Sequence, residues 1–299
     1  MDGVLIIDKP AGITSHDVVS RVRRILGTRR VGHTGTLDPF ATGVMVVLVG
    51  RATRLAQFLD KDDKEYEATI KFGYETDTGD RTGTRSAEYE MRNSEFAALL
   101  DQTDWDPIFD RFRGEIEQLP PMYSAKKIDG KKLYESARKG IDVERKPVRV
   151  SISKLDMVDA ETAADERRIA VACSAGTYIR TLAQDIGRVL GTGAHLTELR
   201  RTRAGRFDLS QSITLDVLAA KETPGDAFLP MKVAVEHLPR FVLPPDRVDK
   251  TRNGMSTRLY DAVFEDGSLQ QMVTELGELI AIGVYDSSQN SIRPKVVLV

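Results

Sequence analysis

Six consecutive apolar residues, Val44-Met45-Val46-Val47-Leu48-Val49, form the longest apolar stretch in the chain. A run of this length without polar alternation reads as a strand buried on both faces, and it is far too short to cross a bilayer. The chain must therefore build a sheet with packed side chains above and below this strand. Further on, Tyr66, Ala68, Ile70 and Phe72 alternate with Glu67, Thr69 and Lys71, the period-two pattern of a half-buried strand. That alternation puts Tyr66 on the face of the core side chains.

Helical patterns surround these strands. A short strand over 3–7 breaks at Lys9-Pro10-Ala11-Gly12, a turn signature. Thr14 and Asp17 then stand at capping-box spacing, and Val18, Val19, Val22, Ile25 and Leu26 recur at helical spacing up to Gly27. The other face of this helix carries Arg21, Arg23 and Arg24. A polar loop is expected over 28–42, a second helix over 52–59, a loop over 73–85 and a helix over 95–102. Prolines extend 119–124; a helix is expected over 131–139, strands over 148–152 and 168–174, and a helix from Ile179 to Leu190 stopped by Gly191. Proline content rises between Pro239 and Pro245, and short strands follow over 279–285 and 295–299. Strands and helices mix without regular βαβ alternation, so the fold class is α+β. A large domain over 1–235 and a small β-rich one over 236–299 are expected.

The net charge argues at first against a nucleic-acid partner: 43 Lys and Arg stand against 45 Asp and Glu, for a net of −2. Segregation changes that reading. The stretch 9–54 carries an excess of six positive charges, 111–149 of five and 180–206 of four, while 75–110 and the chain beyond Phe207 are acidic. This pattern predicts a polarised surface with one basic side. A single cysteine, Cys173, excludes an internal disulfide and a Cys-rich metal site. No secretory signal is visible, so a cytoplasmic protein is expected.

The densest motif is Arg30-Val31-Gly32-His33-Thr34-Gly35-Thr36-Leu37-Asp38-Pro39-Phe40-Ala41-Thr42-Gly43. Gly27 and Gly32 with His33-Thr34 approximate a P-loop, but histidine replaces the phosphate-reaching lysine and a basic helix precedes the motif where an apolar strand is required. Glycines around an acid and a histidine describe either a surface turn or a backbone folded for close approach of a ligand. Ser15-His16 lacks a nucleophile elbow, no two histidines have zinc-ligand spacing, and Asp77-Thr78-Gly79-Asp80 reads as a solvated turn. What remains is a carboxylate, Asp38, with Tyr66 and the Tyr178-Ile179-Arg180 segment, where a strand turns into a helix. An arginine beside Asp38 is expected to lower its pKa by about 1–3 units and keep it ionised as a nucleophile, with aromatic walls for a flat base.

The stretch from Gly32 to Pro39, with Ala41-Thr42-Gly43, resembles the catalytic loop of the TruB-type tRNA pseudouridine-55 synthases. Five further stretches match in order: Asp8-Lys9-Pro10-Ala11-Gly12, Lys64-Glu65-Tyr66-Glu67-Ala68, Pro120-Pro121-Met122-Tyr123-Ser124-Ala125-Lys126-Lys127, Gly176 to Leu182 with Asp185-Ile186-Gly187, and Ala194 to Arg203. The resemblance implies a pseudouridine-synthase fold, with a mixed, mainly antiparallel central sheet flanked by helices and a small β-rich, PUA-like C-terminal domain. It implies that Asp38 is the catalytic aspartate, that Tyr66 stacks on the target uracil and takes part in proton transfer, and that Arg180 pairs with Asp38. Tyr178 and Leu199 would line the pocket, His33 would lie near displaced RNA bases, and Lys9 would support the catalytic loop. Arg200 and Arg201 are expected on RNA phosphates. The resemblance also implies tRNA, through its T stem-loop, as partner, with neither metal nor organic cofactor. A monomer is expected, and a non-catalytic RNA-binding protein on the same fold is the alternative.

Overall fold

The computed structural model describes residues 1–88, 93–124, 127–128, 131–133, 141, 143–260 and 264–298. Its centre is a mixed sheet built from β1 (Gly3–Lys9), β2 (Val31–Thr34), β3 (Thr42–Val49), β4 (Lys64–Phe72), β7 (Gly114–Gln118), β10 (Val148–Met157), β11 (Glu166–Cys173), β12 (Ala194–Ala204) and β13 (Phe207–Asp208). The order is β1-β3-β12-β4-β11-β10-β7, with β2 on β3 and β13 on β12. The β3–β12 pair is parallel; the other pairs of this sheet are antiparallel.

The apolar run lies in β3, and its residues feed two cores in alternation. Val44, Val46 and Leu48 pack with Val4 and Ile6 on one side. On the other side Met45, Val47 and Val49 meet Leu5 and Ile7 and the apolar stripe of helix α1 (Ser15–Leu26), formed by Val18, Val19, Val22 and Leu26. Both faces are buried, so no polar position interrupts the run. Helix α1 begins as its sequence demands. The Asp17 N–H donates to Thr14 Oγ1 at 3.0 Å, and the Thr14 N–H donates to Asp17 Oδ2 at 2.9 Å. Gly27, in the left-handed region at φ 62°, ends it. A third core lies beneath β4 and β11, where Ala68, Ile70 and Phe72 meet Ile179, Leu182, Ala183 and Ile186 of the helix Ile179–Val189.

Several segments depart from the sequence-based expectation. The polar loop over 28–42 contains β2, whose four residues gain their extended form from pairing Val31 to Val49 and Thr34 to Val46. The loop over 73–85 holds β5 (Tyr74–Thr76), paired to β6 (Arg85–Glu88). Short polar strands carry no hydrophobic alternation to reveal them. The helix over 52–59 is a 3-10 turn, Gly50–Leu55, running into Ala56–Leu59, with no side chain capping the start of the turn. Of the helix expected over 131–139, Lys131–Lys132 is strand β9, paired to β8 (Lys127–Ile128), and residues 134–139 lie outside the described residues.

A second sheet forms from β14 (Arg240–Val242), β15 (Thr257–Arg258), β16 (Leu269–Val273), β17 (Leu279–Asp286) and β18 (Ser291–Val297), in the order β14-β16-β17-β18-β15. It has its own apolar cluster around Met272, Ile280 and Ile292. Its other side chains Val273, Leu279, Ile282 and Val296 join the core of Val4, Val44 and Leu48, so one hydrophobic cluster spans both sheets.

Candidate active site

The loop after β2 is fixed before any substrate enters. Gly35 turns it at φ 67°. Buried Ser15, the first residue of α1, both donates to the Leu37 carbonyl at 3.0 Å and accepts from the Leu37 N–H at 2.9 Å. The buried Lys9 ammonium donates to the carbonyls of Pro10, Pro39 and Ala41 at 2.9, 3.2 and 2.7 Å. Burial, opposed by Asp38 and reinforced by Arg201, lowers the Lys9 pKa to about 8. Lys9 thus supports the loop from behind, while Ser15 is a strut rather than a nucleophile.

Between these supports Asp38 faces Arg180. Arg180 Nε lies 2.9 Å from Asp38 Oδ2, and its Nη2 donates to Oδ1 at 3.1 Å, a bidentate pair. Two further N–H groups donate to the Thr78 carbonyl at 2.7 Å and the Tyr123 carbonyl at 2.8 Å. The arginine side chain is 4% exposed and the aspartate 31%, so the cation is enclosed while the carboxylate stays open to the pocket. Burial raises the Asp38 pKa above the usual carboxylate value; Arg180 opposes that rise and the Asp80 carboxylate adds to it. The net lowering expected from sequence is not found, because desolvation outweighs the arginine.

In place of the expected solvated turn, Asp80 is buried, accepts from the Thr82 N–H at 2.9 Å and Thr78 Oγ1 at 3.0 Å, and lies 3.9 Å from Arg180 Nη1. The turn is drawn inward by a bridge between Asp80 and Leu196, which no local pattern announces.

A cavity of about 250 Å³ opens beside Asp38, and Tyr66, Tyr178, Arg180, Leu199 and Arg201 line it, as does Lys64. Strand pairing places Tyr66 opposite Arg201 and Val171. Burial raises the Tyr66 pKa, and the positive charge of Arg201 opposes this. Tyr178 precedes the helix Ile179–Val189 and is held by buried Gln118, which accepts from its N–H at 2.9 Å and donates to its carbonyl at 3.3 Å. Lys64, to which sequence reasoning gave no separate role, donates to the Asp60 and Asp62 carbonyls, and burial lowers its pKa.

His33 and Arg200 fall outside this cavity, and Arg201, at its wall, is enclosed. His33 lies on β2, outside the cavity lining; its Nδ1 is buried without a partner, and burial followed by Arg201 lowers its pKa. Arg200 points to the opposite face of β12, where it pairs with Asp8 at 2.8 Å and borders a groove with Glu67, Thr69 and Arg168. Arg201 is 1% exposed and donates to the Val44 and Gly35 carbonyls at 2.6 and 3.0 Å. A side chain so enclosed does not reach the phosphates of an RNA stem, which corrects that expectation. The basic excess over 180–206 is likewise taken up internally: Arg180 meets Asp38, Arg188 meets Glu75, Arg200 meets Asp8, Arg203 meets Glu65 and Arg206 meets Glu236. Among the described residues no group of three or more His, Cys, Asp or Glu is placed to hold a metal ion, and no helix is long and apolar enough to cross a membrane.

This sheet, with a carboxylate loop and a tyrosine strand at one cavity, is the fold and pocket of a pseudouridine synthase. The structure superposes on that of a Cbf5-Nop10-Gar1 complex with a TM-score of 0.72 and 28% identity, covering 99% of this chain and 85% of that one. An H/ACA RNP bound to a substrate RNA containing 2'-deoxyuridine gives 0.70 and 27%, with the same coverage. Residues 23–179 match the family model for the N-terminal domain of TruB family pseudouridylate synthases, and 180–248 that for the tRNA pseudouridylate synthase B C-terminal domain. The chain belongs to the TruB family. Proteins named tRNA pseudouridine synthase B are 48% identical in Bordetella avium, over 82% of this chain and 96% of the relative, and 42% in Solibacter usitatus, over 95% of each. The one from Bacillus pumilus is 39% identical over 100% of this chain and 98% of the relative.

Proposed function

We propose that the chain converts uridine to pseudouridine at position 55 in the T stem-loop of tRNA, with Asp38 as the catalytic aspartate. The observation that carries this reading is the bidentate Arg180–Asp38 pair, closed on the arginine side and open on the cavity side. The isomerisation breaks N1–C1′, rotates the base and forms C5–C1′; C5 gives up a proton and N1 gains one, so the overall reaction needs no external oxidant or reductant. None of this can occur in a stacked base, and flipping the nucleotide out costs a few kcal/mol that binding must offset. The cavity between Tyr66 and Tyr178 takes the base, and Leu199 packs against it. Asp38 acts at C1′ or C6, or removes the 2′ proton; both routes use the same open carboxylate. Tyr66 is the group nearest in role for the C5 proton, Lys9 and Ser15 hold the loop, and His33 stands among the displaced loop bases.

The RNA is recognised mainly by shape. The enzyme works as a cytoplasmic monomer without metal or organic cofactor, with its catalytic domain over 1–235 and the small domain over 236–299. The test is incubation with an unmodified tRNA transcript followed by site-specific mapping of pseudouridine. Product at position 55 is expected, and Asp38→Asn is expected to abolish it while tRNA affinity stays within about tenfold, since one neutral amide replaces one carboxylate. Tight binding without product in the wild-type protein would support the non-catalytic alternative instead.

A further inference from the structure

The stretch between β11 and the helix Ile179–Val189 forms one wall of the cavity, with Ser174, Ala175, Gly176, Thr177 and Tyr178 all lining it. It is tied down at both ends. At its start the Ser174 N–H donates to the Ser151 carbonyl of β10 at 2.8 Å, and Ser174 Oγ accepts from the Ser151 N–H at 2.9 Å. At its end the tie is a side chain: Gln118, the last residue of β7, accepts from the Tyr178 N–H at 2.9 Å and donates to the Tyr178 carbonyl at 3.3 Å. Tyr178 is extended, at φ −101° and ψ 105°, and its own side chain does not cap the helix that follows. The glutamine amide thus offers it the donor and acceptor that a neighbouring strand would offer. The Tyr178 carbonyl also accepts from the Leu182 N–H at 3.1 Å, whereas Gln118 is the partner of the N–H among the described residues. Five residues beyond Gln118, the Tyr123 carbonyl accepts from Arg180 Nη2 at 2.8 Å. One segment therefore meets the start of this helix twice, at Tyr178 and at Arg180.

We propose that Gln118 is a positioning residue: it fixes the Tyr178 backbone, and with it the place of the Tyr178 ring on the cavity wall and the entry of the helical turn that brings Arg180 to Asp38. The inference rests on the reading of Tyr178 as a wall for the flipped base. Two features favour it over a part in sheet stability alone. The β7 ladder does not use this side chain, because Gln118 pairs with Val148 through the backbone. The side chain is nevertheless buried, and both its polar atoms go to Tyr178.

The test uses Gln118→Met and Gln118→Glu in the full chain, with two readouts. Hydrogen exchange at the Tyr178 amide, resolved by mass spectrometry with site-specific fragmentation, reports whether its N–H is still held. Steady-state turnover on an unmodified tRNA transcript separates kcat from KM. Gln118→Met keeps the bulk and offers neither bond, so the Tyr178 amide should exchange at least about tenfold faster. Its kcat should fall roughly tenfold to a hundredfold, the worth of two neutral hydrogen bonds, with KM within about threefold because the RNA is held mainly outside the pocket. Gln118→Glu has the same shape, and once protonated its carboxyl again offers one donor and one acceptor. Its kcat relative to wild type should therefore climb from pH 8 to pH 6, and at pH 6 it carries the test if Gln118→Met does not fold. A Tyr178 amide whose exchange is unchanged in folded Gln118→Met overturns the proposal. So does a raised KM with kcat intact, or a Gln118→Glu ratio that stays at the Gln118→Met level across the pH range. Should the wild-type protein make no pseudouridine, the functional reading fails, while amide exchange still decides whether Gln118 holds Tyr178.

Discussion

Replacing Arg180 by methionine tests the electrostatics of the site directly. The substitution removes a bidentate partner from Asp38, a nearby cation from Asp80 and two donors from the Thr78 and Tyr123 carbonyls. Breaking a buried pair by deleting one partner costs about 3–5 kcal/mol. Because the Asp38 side chain is 31% exposed and water can reach it, a loss near the lower end is expected, about 3 kcal/mol. Burial already holds Asp38 above the usual carboxylate value, and loss of the arginine, which opposes that rise, should raise it further. The folded protein then holds an extra proton over a wider window, from the unfolded value of 3.8 up to the new folded pKa, and stability falls as pH rises through that window. The wild-type-minus-variant gap in urea unfolding should accordingly be smaller at pH 5 than at pH 8. In the same variant the acid limb of kcat/KM, read on an unmodified transcript, should move to higher pH. An acid limb that coincides with wild type, or a stability gap that narrows toward alkaline pH, would refute this account of the pair.

Other substitutions probe the supports of the loop. Lys9 titrates at about 8 when folded and at 10.5 when unfolded, so between these values the unfolded chain holds more protons and stability rises with pH. Lys9→Met removes that slope, and the wild-type-minus-variant gap should grow by roughly 1.4 kcal/mol per pH unit across the window; a constant gap counts against it. Ser15→Ala leaves the buried Leu37 N–H and carbonyl without their partner, with a stability loss of about 1–3 kcal/mol and reduced turnover at little-changed tRNA affinity. Gly43 sits at φ 102°, and a Cβ there would stand 2.1 Å from the Arg201 carbonyl oxygen. Gly43→Ala must part β3 from β12, and a loss of at least about 3 kcal/mol is expected, read as a lowered urea midpoint at unchanged m.

The sequence disclosed those features whose physics is local. Helix α1 was legible from Thr14, Asp17 and Gly27 because cap, stripe and stop lie within one segment. Strand β3 was legible because two buried faces leave no polar position. Asp80 was missed because its burial depends on a bridge to Leu196, distant in the chain. The Arg200-Arg201 pair shows a different failure. Strand parity places Arg201 on the cavity face with Leu199 and Arg200 on the opposite face, so the two arginines never share an environment. The signal was present in the period of two, but a cluster of positive charges read as phosphate contacts. The charge segregation misled in the same way: over 180–206 the arginines answer carboxylates of other segments, so excess along the chain became pairing in space.

The hydrophobic cluster common to both sheets gives the molecule the properties of a fixed gauge. A small domain on a tether could swing to meet RNAs of different outline, whereas one that shares its core with β1 and β3 stands at a set distance from the cavity. Those two strands also carry Lys9 and Gly43, which frame the Asp38 loop. The second sheet cannot change its distance or angle to the pocket without parting the apolar contacts of that cluster.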